Sequence, residues 1–293
     1  MLGFDFSVFW QIGQAVLSGH NPYAVPLSVY PPMMTLLFSL FALVPFQWAF
    51  PIWAGLNFVL LLDVLRRWAN RSYIWIFFSP VVFTLMTGQI DLLFLWLASW
   101  TTTAGWQSIV CAALLTLKPQ IALIVLPWLL IRWLRNSPRS LSYWIMLTLA
   151  IHTLPLLYDR SIYSKWLVAL NGQLGWRFAV SSGLFSLTTY QVPVWILILL
   201  SLVIAVWGLT QSDIISRAAL LLASPAGLWY DSVLLVGSAP AWLIISWSWL
   251  AFILAYFLKN SVPLASIPLV SLAWQLWTNL SLTRKKLQAN ALV

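Results

Sequence analysis

From Val192 to Leu209 the chain carries no charged residue, and Ser201 is its only hydroxyl. Runs of this kind recur along most of the 293 residues, 62% of which are hydrophobic and only 7% charged, where soluble domains carry about 25% charged residues. Such a composition excludes an ordinary soluble fold and predicts an all-α, polytopic transmembrane helical bundle. A bilayer core of about 30 Å takes about 20 apolar residues as helix, so the length suffices for about ten or eleven spans, some short or half-spanning. One continuous transmembrane domain, residues 1–293, is expected.

The first 32 residues are mixed, aromatic and turn-rich. They read as an outer loop with one interfacial helix near Phe6 to Leu17. Candidate spans follow from Met33 to Val44, Phe46 to Leu65, Tyr73 to Thr87, Ile90 to Trp100, Trp106 to Leu117, Ile121 to Leu134 and Ser142 to Leu157. After a second outer loop, residues 158–191, come Val192 to Leu209, Ile214 to Ala223, Ser232 to Ile245, Trp247 to Leu258 and Val262 to Leu280.

Fifteen Lys and Arg against six acids give a net charge of +9. The bases sit in short clusters between apolar runs, the positive-inside pattern of a multi-pass protein rather than a nucleic-acid surface. Arg66, Arg67 and Arg71, then Arg132, Arg135 and Arg139, then Arg284, Lys285 and Lys286 are assigned to the cytoplasm, which leaves the C-terminus cytoplasmic. Alternation places Gly88-Gln89, Asp91, Lys118, the loop 158–191 and the Ser224-Pro225 to Asp231 segment outside. That scheme fails if Met33 to Val44 crosses fully, so it is read as a half-span or interfacial helix returning to the outer face, the alternative being two crossings that break the charge rule. The 21 Trp suit interfacial belts. The lone Cys111 packs as a small hydrophobe, and two His with one Cys give no basis for zinc. No cleavable signal pattern is present.

There is no glutamate; the acids are Asp5, Asp63, Asp91, Asp159, Asp213 and Asp231. Asp63 precedes Arg66 and Arg67, and Asp213 precedes Arg217, by one helical turn, the spacing of ordinary surface ion pairs. Asp159 adjoins Arg160 in a loop. Asp5, Asp91 and Asp231 are left without a local basic partner. Lys118, in LLTLKPQIAL, is an ammonium inside an apolar run, and Pro119 breaks the helix beside it. It either snorkels to the interface or faces the outer vestibule, where it suits a phosphate oxygen. Asp91 follows Gln89 at a helix start and serves as a dipole-matched cap or as a direct participant. Tyr230-Asp231, His20 beside Asn21-Pro22-Tyr23, and the basic and aromatic residues Arg160, Lys165, Trp166, Trp176 and Arg177 of the second loop are further candidates; structural roles compete with each.

The stretches FDFSVFWQIGQAVLSGHNPY, VYPPMMTLLFSLFALVP, TGQIDLLFLW and ALLTLKPQIALIVLPWLLIRWLR, in that order, resemble glycosyltransferase family 87, also called DUF2029. The likeness covers most of residues 1 to 135 and recurs weakly at LLASPAGLWYDSVLL. It implies a GT-C-like membrane enzyme that takes a sugar, typically mannose, from a polyprenyl-phosphate donor, with no other cofactor. It implies that Asp5 matches the catalytic base of the first outer loop, that Tyr23 and Tyr30 belong to the pattern shaping that loop, and that Lys118 faces the cavity. Gln89, Asp91, His20, Arg177, Tyr230 and Asp231 are then candidate substrate-binding residues. Members usually carry a helix ahead of the aspartate, where this chain opens on it, so a shortened start or lost anchor is expected. Some also place histidine after the Ser-Pro pair, where this chain has Tyr230-Asp231.

The expected reaction is an inverting hexosyl transfer to a lipid-linked or cell-envelope acceptor at the outer face of the plasma (inner) membrane. With so few carboxylates no dedicated metal cage is expected. A lipid or solute transporter, or an inactive relative, is the competing reading; the halves show no duplication of the kind transporters often carry.

Overall fold

The computed structural model describes residues 2–103, 105–172, 181–225 and 227–290, and they contain helices and no strand. The chain opens with α1 (Phe4–Leu17), which packs closely on α2 (Pro32–Ala42). Gly13 makes this contact possible, because a Cβ there would lie 2.2 Å from the Phe38 carbonyl oxygen. Phe6, fully buried, is ringed by Phe41, Phe46, Phe50 and Trp53, so the residue after Asp5 anchors the start of the chain in the core. At about 1.5 Å per residue α2 reaches roughly half the depth of a bilayer core.

Next come α3 (Phe46–Trp68), α4 (Ser79–Thr87), α5 (Asp91–Thr101), α6 (Trp106–Leu115), α7 (Pro119–Asn136) and α8 (Pro138–Thr153), the last continued by α9 (Pro155–Tyr158). Beyond them lie α10 (Ile162–Asn171), α11 (Val194–Leu209), α12 (Asp213–Ala223), α13 (Ala241–Leu258) and α14 (Ser266–Asn290). Short 3₁₀ turns occupy Tyr73–Phe77, Trp229–Leu235 and Val262–Ala265.

The expected ten or eleven spans, some short or half-spanning, are not what forms among the described residues. Among the described residues three helical segments are long and apolar enough to cross a membrane, Phe46–Trp68, Pro138–Tyr158 and Ala241–Leu258. The apolar runs are there, but turns cut them short: α4, α5 and α6 have 9, 11 and 10 residues. Gly88 takes the left-handed conformation (φ 77°) that ends α4, and Pro119, lacking an N–H to continue α6, opens α7 instead. The run Tyr73 to Thr87 divides before Ser79-Pro80. Ser232 to Ile245 is a 3₁₀ turn and a connection, the helix starting only after Pro240.

These interrupted pieces form the centre. α5 packs against α3 and α6, and α12 against α7 and the Trp229–Leu235 turn. Leu92, Leu95, Ala98, Ala112, Leu115, Ile121, Leu221 and Val233 are buried there. Three longer helices lie outside: α8 buries none of its residues, and α11 and α13 leave Val203 68% and Phe257 74% exposed.

The ion pairs differ from expectation in two places. Asp213 and Arg217 do pair at 3.3 Å, but Arg217 is buried: its guanidinium donates to the Leu234 carbonyl and lies 3.8 Å from the centre of the Trp68 ring. Helical spacing identifies the partner without saying which way the face looks. Asp159 pairs with Lys165 at 2.6 Å, one turn into α10, rather than with its neighbour Arg160. Asp63 and Arg67 pair at 2.9 Å, partly exposed, with Trp96 also donating to Asp63.

Candidate functional site

The breaks in the central helices hold the polar residues. Lys118 sits in the gap between α6 and α7, its own N–H bonded to the Leu115 carbonyl. The ammonium donates to Asp91 Oδ1 at 2.5 Å and to Asp231 Oδ1 at 2.8 Å. Asp91 is the first residue of α5, and Asp231 lies in the 3₁₀ turn, where its Oδ2 accepts the Leu228 N–H at 2.7 Å. All three side chains are at most 5% exposed. The two acids that have no basic neighbour in sequence thus share one lysine 27 and 113 residues away.

Asp5 stands in the first turn of α1, ahead of every candidate span, and is only partly buried. The Gly3 N–H bonds the Met86 carbonyl, tying the start of the chain to the end of α4. Gly88 lets the two approach, since a Cβ there would lie 2.6 Å from Phe6 Cβ. Thr87, Gln89 and Tyr230 surround the Asp5 carboxylate, and the charge of Lys118 reaches it. Its Oδ2 is buried with no hydrogen-bond partner among the described residues. Burial pushes the Asp5 carboxyl above the ordinary carboxylate range, against the opposing pull of Thr87, Gln89 and Lys118.

Gln89 links the two halves of the site. Its Oε1 accepts from the Tyr30 hydroxyl at 3.3 Å, and Tyr23 in turn donates to the Tyr30 carbonyl at 3.0 Å. Trp53 donates to the Gly88 carbonyl, fixing the turn. Tyr230 is held by its neighbour Trp229, which packs between Phe83 and Phe252.

The structure therefore gathers Asp5, Gln89, Asp91, Lys118, Tyr230 and Asp231, with Tyr30 beside them and Tyr23 one layer out. His20 is exposed in the loop after α1 and makes no hydrogen bond into this cluster. Arg177 and Trp176 lie outside the described residues. Thr87 escaped the sequence reading, although it heads the TGQID stretch. The ammonium expected to stand open to a vestibule is instead enclosed between two carboxylates. From the segment after α8, Tyr158 donates to the Val16 carbonyl and Trp166 to the Val29 carbonyl, both at 3.0 Å, clasping it onto the start of the chain.

Counted as ions, the centre holds three carboxylates and one ammonium. A buried charge survives where it is paired or hydrogen-bonded, as Asp91 and Asp231 are by Lys118, at the irregular ends of half-helices surrounded by protein; one oxygen each of Asp5 and Asp91 stays buried without a partner among the described residues. The result is a membrane protein with an acid-rich centre between broken helices, an arrangement able to accept a proton and to hold hydroxyl-bearing or positively polarised ligands.

The chain matches glycosyltransferase family 87 over residues 29–273. It belongs to that family and is a membrane glycosyltransferase. No curated protein and no solved structure matches it.

Proposed function

We propose that the protein transfers a hexose, mannose in the first instance, from a polyprenyl-phosphate carrier to a hydroxyl of a lipid-linked or cell-envelope acceptor, at the outer face of the inner membrane with its C-terminus in the cytoplasm. The observation that carries this reading is Asp5: a half-buried carboxylate with one oxygen unpartnered among the described residues, beside a buried cluster of ionised groups, in a chain of this family.

In the proposed step the acceptor oxygen forms a bond to the anomeric carbon as the bond from that carbon to the carrier phosphate breaks. The phosphate leaves with the electron pair, and the acceptor proton passes to Asp5, so the anomeric centre inverts. A base positioned within about 2.6 to 3.2 Å of the hydroxyl contributes about 10² to 10⁴ in rate. The surplus negative charge of the site suits the positive charge that develops on the sugar ring. Lys118 has two of its N–H donors committed, so what it offers a phosphate is its remaining donor and its field; its main part is to hold Asp91 and Asp231 in place. Arg160, exposed at the start of the second outer segment, and Arg177 are the cations proposed to meet the phosphate. Gln89, Tyr30, Tyr230 and His20 are proposed sugar or acceptor contacts.

The test is transfer by purified protein supplied with a polyprenyl-phosphate sugar. Asp5→Asn is expected to lose about 10² to 10⁴ in rate while binding the carrier normally, and Asp63→Asn to behave as wild type. Full activity of Asp5→Asn removes Asp5 as base; lipid movement across proteoliposomes without any sugar transfer replaces the enzyme with a transporter.

A further inference from the structure

Along α7, about 20 to 25 Å from Lys118 at 1.5 Å per residue, lies a second polar locality with no part in the proposed transfer. A cleft of about 570 Å³ opens there between the C-terminal ends of α7 and α11. Its polar end is formed by Arg132, Arg135, Thr210 and Gln211, and its apolar wall by Ile131, Val206 and Leu209. No acidic residue lines it. Arg132 lies 5.8 Å from the centre of the Trp128 ring, and among the described residues neither Arg132 nor Arg135 forms a salt bridge. A smaller cleft of about 230 Å³ shares Arg132 and adds the hydroxyl-bearing Ser108, Ser137 and Ser140. Of the other exposed cations, Arg67 is paired with Asp63, and Lys165 with Asp159.

We propose that this cleft binds one anionic glycerophospholipid, its phosphate between Arg132 and Arg135, its headgroup hydroxyls toward the Ser-lined pocket, and an acyl chain along Val206 and Leu209. Two guanidiniums in a cleft without a carboxylate are complementary to a phosphodiester. The apolar wall continues onto the exposed face of α11, where Leu199 and Leu202 are 56% and 57% exposed, which gives the chain a path that a free phosphate does not need.

Full-length protein in detergent, mixed with equal amounts of phosphatidylglycerol and phosphatidylcholine and examined by native mass spectrometry, tests this. The wild type is expected to retain phosphatidylglycerol preferentially. Arg132→Gln/Arg135→Gln should cut that preference about tenfold or more, each basic residue near a membrane surface being worth roughly 1 kcal/mol. Val206→Trp, which fills the apolar half without touching charge, should lower retention as well, and Arg71→Gln, elsewhere on the surface, should not. Equal retention of the two lipids by wild type, or an undiminished preference in the double variant, overturns the proposal. Displacement of the lipid by millimolar inorganic phosphate, or indifference to Val206→Trp, shows a simple anion site and overturns the lipid assignment.

Discussion

α5 and α11 are both apolar helices, and they live differently. α5, 11 residues long, buries eight of them and begins on a carboxylate. α11, 16 residues long, buries Leu197, Ser201 and Gly208 and carries no charge. The difference lies in what breaks the chain around them. Pro193 starts α11, which then runs uninterrupted with most of its apolar side chains exposed. α5 follows a glycine turn and answers another break at Lys118-Pro119 across the core. Broken helices release backbone groups and tolerate ions only where protein surrounds them, so the interruptions, rather than the spans, carry the chemistry.

Removing the lysine breaks that contrast most severely. Lys118→Met leaves Asp91 and Asp231 buried without a counter-charge and is expected to cost about 3 to 5 kcal/mol, seen as a large fall in melting temperature in detergent. Combining it with Asp91→Asn and Asp231→Asn should restore much of the stability without restoring transfer. A Lys118→Met protein as stable as wild type would mean the cluster is not ionic.

The glycines sharpen the comparison at smaller magnitude. Gly88→Ala places a Cβ 2.6 Å from Phe6 Cβ at a backbone φ of +77°, and should cost about 1 to 3 kcal/mol while slowing transfer, because Asp5 moves with α1. Gly55, inside the long α3, has nothing within 4 Å of a Cβ, and Gly55→Ala is expected to gain about 0.5 to 1 kcal/mol. Equal thermal shifts for the two would erase the distinction.

The smallest effect concerns the segment that joins α9 to α10. Hydrogen bonds from Lys165 and Ser161 hold the Asp159 carboxyl down at about 2. Because the folded value lies below the ordinary one of about 3.9, the stabilisation is complete above that pH and is lost as the pH falls toward 2. Lys165→Ala should bring the carboxyl back toward its ordinary value. With no glutamate in the chain, a carboxyl NMR titration has six side chains to resolve, and an unmoved Asp159 signal would contradict the pairing.

The sequence made the helical class legible because nothing else accommodates so few charges, and it showed the Lys118 break because proline announces it. It did not show that Asp91 and Asp231 meet on Lys118, since partners 27 and 113 residues apart leave no local pattern. It misjudged the span count because Tyr73 to Thr87 and Ser232 to Ile245 read as single apolar runs, and hydropathy is blind to the 3₁₀ turns that divide them. Arg217 was read as a surface group from a spacing that fixes its partner Asp213 but not the direction of that helix face.

The most direct test of the central proposal is a density map with sugar carrier and acceptor bound. The account predicts the acceptor hydroxyl within about 3.2 Å of the Asp5 carboxylate, with the anomeric carbon on the side facing Tyr230 and Gln89. An acceptor oxygen seated instead against Asp91 or Asp231, or a sugar bound away from the start of α1, would contradict it.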